Sequence, residues 1–294
     1  MRVNPYLMPD LLAALAETQQ QQDTATLQIA SGSKINKPSD DPAGSALLTQ
    51  IHDRSSQADS FLRSIGNIRG QLQTADSTLS SVVTALQRAI GLGVQGGTGT
   101  LSDENRAAVA QEVSGLRDEL ISLANLSYQG RFVFAGTSRT LPFVSDATVP
   151  SGVRYDGNAG VNTVAIGDSY QLQVNQPGSQ IFANAGADVF QAVTDLLTAL
   201  QTNTGIDTAV AAVRKAFDYV TTQRVFYGNA LNQIDSQQSY LNTEKLQLSD
   251  QENTVDGVDM AAAASQLVNA EGARNATLAA VGKVSQLSLF DYLK

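Results

Sequence analysis

Residues 210–255 read VAAVRKAFDYVTTQRVFYGNALNQIDSQQSYLNTEKLQLSDQENTV. Stepping alternately three and four residues from the first picks out Val210, Val213, Phe217, Val220, Arg224, Tyr227, Leu231, Ile234, Gln238, Leu241, Lys245, Leu248, Glu252 and Val255. Ten of these fourteen positions are apolar or aromatic. Only a helix aligns such positions on one stripe. Sustained over this length, the spacing is that of a coiled-coil or bundle seam. A helix of ~45 residues at ~1.5 Å rise spans ~70 Å, longer than a compact domain needs. The expectation is a mainly α, long-helix rod with other elements packed along the seam.

Working outward, residues 187–202 hold a short helix through Val189, Val193, Leu196, Leu197 and Leu200. Upstream, Ile51, Ala58, Ile65, Leu72, Leu79 and Leu86 recur every seven residues. Phe61, Ile68, Ala75, Val82 and Ala89 widen that stripe, predicting a helix over 43–90 that the glycines from Gly91 to Gly99 end. A third helix opens at Ser102 and continues through Val109, Val113, Leu116, Leu120 and Leu123. Three seams of this kind are most simply buried in an antiparallel helical bundle.

From Gly130 the period changes to two. Phe132-Val133-Phe134, Val153-Arg154-Tyr155, Val164-Ala165-Ile166 and Tyr170 to Val174 read as short strands between turn residues. They predict a small all-β insertion. Asp156-Gly157-Asn158 is a turn, since no glutamate follows at the distance a calcium loop requires.

At the N-terminal end, Met8, Leu11, Leu15, Thr18, Gln22, Ala25 and Ile29 carry a stripe that is polar in its middle. So narrow a stripe needs a partner to hold a helix. Ser31-Gly32-Ser33 breaks it, with Gly32 suited to the left-handed residue that ends a helix. Asp40 and Asp41 before Pro42 then mark a helix start: an acceptor at the cap, a proline whose missing donor costs nothing, and acid at the positive end of the dipole. With no third ligand nearby, capping is a better reading of the acidic pair than metal binding. At the other end, Asp256-Gly257 interrupts the long helix. A last helix starts near Asp259, with Met260, Ala264, Leu267, Glu271, Arg274, Leu278, Val281 and Ser285 on its expected seam. The end is apolar: Leu287, Leu289, Phe290, Tyr292 and Leu293. An apolar tip of this kind points to an intermolecular environment.

Net charge is −9 in 294 residues, against the basic face that nucleic-acid binding needs. The chain has no cysteine, which excludes disulfides and thiolate metal sites, and its one histidine, His52, reads as a surface residue. No apolar run is long enough to span a membrane, and residues 1–5 carry no signal-peptide apolar region. With one histidine, no cysteine and no carboxylate cluster outside caps and turns, no catalytic set assembles, so an enzyme is not expected. A membrane-active helical effector needs a long apolar or a basic amphipathic helix, and neither is present. No cofactor or metal is implied.

These residues resemble the bacterial flagellin superfamily, and within it the hook–filament junction branch. The similar stretches are Ile29 to Gly32, Lys37-Pro38-Ser39-Asp40-Asp41-Pro42-Ala43-Gly44, Gly130-Arg131-Phe132-Val133-Phe134-Ala135-Gly136-Thr137 and Lys283 to Leu293. The resemblance implies three parts: a terminal coiled coil from 1–40 and 256–294, a helical bundle from 41–138 and 184–255, and a β-rich outer part from 139–183. It implies export by the flagellar type III apparatus without a cleaved signal, and an extracellular place in the flagellum. The implied partners are the other hook-associated junction protein, flagellin, further copies of the chain in a ring, and a flagellar export chaperone. Filament-forming flagellin is the alternative. The implied assembly interface comprises Met8, Leu11, Leu15 and Ile29 at one end, with Met260, Leu267, Leu278, Val281, Leu287, Leu289, Phe290 and Leu293 at the other. Gly32, Asp40, Asp41 and Pro42 form the implied cap and hinge.

Overall fold

The structure, a computed structural model, describes residues 7–99 and 101–292. In order they form α1 (Leu7–Ser31), α2 (Pro42–Gly96), α3 (Asp103–Ala124), β1 (Ser127–Tyr128), β2 (Arg131–Phe132), β3 (Phe143–Ser145), β4 (Val153–Tyr155), β5 (Thr163–Gly167), β6 (Tyr170–Gln173), α4 (Gly178–Ile181), α5 (Val189–Thr202), α6 (Ile206–Asp256) and α7 (Met260–Tyr292). The fold is mainly α with a small β portion. The chain divides into two compact units, one of Met1–Gln57 with Thr243–Lys294, the other of Ala58–Asn242.

The second unit holds the large core. The α6 seam enters it through Val213, Val220 and Ile234, all fully buried, with Tyr227 only 1 % exposed. Leu231, expected in the core with Ile234, is only partly buried against it. Two polar seam positions meet polar partners on α2. Arg224 donates from Nε to Asp76 Oδ1 at 2.7 Å, and Gln238 Oε1 accepts from Arg69 Nη2 at 2.5 Å. The seam therefore stays continuous where its chemistry changes. Ser102 caps α3 by accepting from the Asn105 amide at 3.3 Å, and Asp188 caps α5 by accepting from the Gln191 amide at 2.8 Å. Burial pushes the Asp188 carboxyl above its usual range.

Contrary to expectation, α2 runs through Gly91 to Gly96. These glycines serve helix packing. A Cβ on Gly93 would stand 2.5 Å from Val210 Cγ2 and 3.0 Å from Leu196 Cδ1, and one on Gly96 would strike Leu200 Cδ2. Gly66, in the same helix, faces open space. Gly66→Ala is expected to raise stability by about 0.5–1 kcal/mol through helix propensity. Gly93→Ala is expected to lower it by about 1–3 kcal/mol through overpacking against short, stiff Val210. Chemical denaturation of the two variants checks the opposite signs.

The β portion consists, among the described residues, of three two-stranded antiparallel sheets: β1–β2, β3–β4 and β5–β6. The expected strand over Phe132–Phe134 stops at Phe132, while Val133 and Phe134 leave the ladder as buried core residues. Two-residue β1 and β2 join through Gln129 and Gly130, both at positive φ (50° and 76°), the geometry of the tight turn whose twist matches its strands. Phe143, Phe182 and Phe190 form an aromatic cluster, which Phe134 joins through Phe182 at 5.1 Å. Asn175, only 1 % exposed, pins the surrounding loops. Its amide donates to the Gly136 and Gly160 carbonyls, and its Oδ1 accepts from the Asn162 amide at 2.6 Å. Leu172 on β6 and Val174 just after it are buried, whereas Tyr170 turns outward and donates to Gln233 Oε1 at 2.9 Å.

Candidate functional site: the terminal helix pair

The first unit brings the two ends of the chain together. α1 packs along α7, and the two run antiparallel. The end of α1 meets the start of α7 where Ser33 bridges Gly257, and farther along Arg274 Nη1 donates to Gln22 Oε1 at 3.4 Å. On α1 the covered stripe comprises Leu11, Leu15, Thr18, Gln22, Ala25 and Ile29, with Ala25 2 % exposed and the others half-buried. Met8 is also half-buried. The alternation of four and three matches the spacing in the sequence.

On α7 the covered stripe is Ala263, Leu267, Ala270, Arg274, Thr277, Val281 and Val284. This differs from the seam read from sequence. Leu267, Arg274 and Val281 belong to both, but Ala263, Ala270 and Thr277 are covered where Ala264, Glu271 and Leu278 are exposed, and the side chain of Ser285 lies outside the described residues. The small, fully covered alanines carry little pattern of their own, and Met260 drew the phase toward itself. Met260 is 51 % exposed and Leu278 44 %, and Val268 is open at 67 %. The side chains of Leu287, Leu289 and Phe290, and the whole of Leu293, lie outside the described residues.

The breaks between helices are built by carboxylates. Gly32 adopts φ +71°, the left-handed conformation that ends α1. Asp40 Oδ2 accepts from the Lys37 amide at 2.9 Å and the Asn36 amide at 3.2 Å. Asp41 Oδ1 accepts from the Gly44 amide at 2.9 Å, and Pro42 opens α2. On the other chain segment, Asp256 grips the same linker. Its Oδ1 accepts from the Ile35 amide at 2.7 Å, its other oxygen accepts from Ser33 Oγ, and its backbone carbonyl accepts from the Lys34 amide at 2.7 Å. A Cβ on Gly257 would run into the Asn253 carbonyl, so glycine is needed beside the grip. Asp259 then caps α7, accepting from the Ala261 and Ala262 amides at 2.9 and 3.0 Å. The sequence marked Asp256-Gly257 only as a break; its grip on Ser33 and Ile35 carried no local signal. His52, at 59 % side-chain exposure, pairs with Glu252 Oε1 at 2.9 Å. This arrangement can hold helices in register and offer apolar surface.

Residues 7–139 match the model of the bacterial flagellin N-terminal helical region. The chain is 28 % identical to flagellar hook-associated protein 3 of Escherichia coli, over 91 % of both chains. The chain resembles the bacterial flagellin superfamily. A flagellin of Listeria monocytogenes is more alike locally, at 39 % identity, but over only 33 % of this chain and 34 % of its own. The fold is also that of the flagellar junction protein FlgL from Legionella pneumophila, with TM-score 0.62 and 16 % identity. That likeness covers 72 % of this chain and all of the other. The family is a structural component of the bacterial flagellum.

Proposed function

We infer that the chain is a structural junction protein of the bacterial flagellum, adapting the hook region to the flagellin filament through its terminal helices. The observation that carries this reading is the end-to-end match to a hook-associated protein 3, over 91 % of both chains, where the Listeria flagellin matches over a third. Filament-forming flagellin is the weaker reading for the same reason.

In this reading the chain works in three parts: an inner part of 1–40 and 256–294, a helical bundle of 41–138 and 184–255, and an outer β-rich part of 139–183. Exposed apolar side chains on the terminal helices, Leu12 and Leu27 on α1 and Met260, Val268 and Leu278 on α7, support an inner part that packs against neighbours. The neighbours are the other hook-associated junction protein, flagellin and further copies of the chain in a ring. Before assembly the C-terminal helix is the segment for an export chaperone to hold, and export proceeds without signal cleavage. No catalytic step belongs to this role.

Electron microscopy of a strain lacking the gene tests the reading. Hooks without filaments, with flagellin accumulating in the medium and filaments restored by the intact gene, are the expected result. Filaments of ordinary length on the mutant would overturn it.

A further inference from the structure

The register of the terminal helix pair is set by polar groups. Counting from the Arg274–Gln22 contact along the two covered stripes gives a series of facing layers: Ile29 with Leu267, Ala25 with Ala270, Gln22 with Arg274, Thr18 with Thr277, Leu15 with Val281 and Leu11 with Val284. Five of the six layers are pairs of alike residues: aliphatic with aliphatic, alanine with alanine, threonine with threonine. Packing of this kind discriminates poorly between registers, because sliding one helix by a heptad still places small or aliphatic residues opposite one another. The Gln22–Arg274 layer does discriminate. A slide of seven residues toward the start of α7, about 10 Å along the axis, sets Gln22 against Leu267 and Arg274 against Leu15. Both polar groups then lose their partner inside the stripe. At the near end, Asp256 adds a second constraint. It accepts from Ser33, Lys34 and Ile35 together, and such a set of directed bonds does not survive a shift of the linker it holds.

We propose that the terminal helix pair is keyed at two points, a near key made by Asp256 on the α1–α2 linker and a far key made by Arg274 on Gln22, and that these keys determine which residues of α7 stand opposite α1. Asp256 and Arg274 are positioning residues: they add little stability to the pair and select one alignment. The alignment decides which apolar residues of α7 stay uncovered, so the keys define the surface that the pair presents.

The chain has no cysteine, so engineered pairs report register directly. Ala25→Cys with Ala270→Cys spans a facing layer and should oxidise to a disulfide. Ala25→Cys with Ala263→Cys is about one heptad out of line, beyond the Cα separation a disulfide tolerates. In the otherwise unchanged full-length chain, the first pair should cross-link at least about tenfold faster than the second. Either single change, Asp256→Ala or Arg274→Leu, leaves one key and should preserve that preference. With Asp256→Ala, Gln22→Leu and Arg274→Leu combined, the out-of-line pair should cross-link at a rate comparable to the facing pair, while helix content by circular dichroism is kept. Equal rates for the two pairs in the unchanged chain would overturn the proposal. So would a preference that survives the combined variant, one that vanishes with a single change, or a combined variant that loses the helices altogether.

Discussion

Replacing Phe143 with alanine lowers the thermal midpoint of the protein by roughly 10 °C. Phe143 opens β3, is 1 % exposed and pairs with Tyr155 across the β3–β4 ladder. Its ring centroid lies 5.1 Å from those of Tyr155 and Phe190 and 5.4 Å from that of Phe182. Its backbone is held as well: the Phe143 amide donates to Asn125 Oδ1 at 2.9 Å, and the Asn125 amide group donates back to the Phe143 carbonyl at 2.8 Å. The neighbours cannot close on a missing ring. Gly178 already stands so near that a Cβ there would lie 2.8 Å from Phe143 Cε2. A Phe→Ala change at such a site costs about 3–5 kcal/mol, the transfer of the ring plus the cavity left behind. For a unit of this size that corresponds to a shift of roughly 6–20 °C. Calorimetry of Phe143→Ala beside Tyr170→Ala, a residue 43 % exposed, checks the magnitude. Equal shifts for the two would mean that the β portion is not joined to the helices through this cluster.

The second large effect is on assembly. Deleting residues 287–294 is expected to leave the main thermal transition, that of the Ala58–Asn242 unit, within about a degree of its starting value and to abolish motility. The Ala58–Asn242 core is complete without the tip: its seam residues Val213, Val220 and Ile234 are already fully buried. The tip carries Leu287, Leu289, Phe290 and Leu293, and in the proposed role each would be buried in the assembled flagellum and contribute about 1.5–3 kcal/mol. Loss of several such contributions exceeds what a helical interface can absorb, since every 1.4 kcal/mol is about tenfold in affinity. A fall of many degrees in the main transition would place the tip on the chain's own core instead. Swimming cells with attached filaments would remove the tip from the assembly surface.

Much of the helical plan is local and was legible. The α6 stripe from Val210 to Val255 is buried or half-buried at every position, because the direction of a side chain around a helix follows from its place in the sequence. The same holds for α1 from Met8 to Ile29. Asp41 and Pro42 mark the start of α2 because a cap bonds within its own turn. The resemblance to the family could likewise be read from short stretches at both ends.

What the sequence by itself determined is thus the long helices, the faces that α1 and α6 must cover and the family the chain resembles. What only the tertiary structure decided is everything that depends on a distant neighbour. Gly93 and Gly96 look like helix breakers until Val210, Leu196 and Leu200 are seen against them. Glycine signals a missing Cβ, and the sequence does not say whether that absence ends a helix or admits another. The phase of α7 turned by one residue for a similar reason, since Ala263 and Ala270 gain importance only from the helix that covers them. Asp256 shows the limit most clearly. The amide it holds on Ile35 lies 221 positions away in the chain, and no periodicity reaches that far. Helical pattern is written in steps of three and four residues; hydrogen bonds between breaks form only once folding has brought the breaks together.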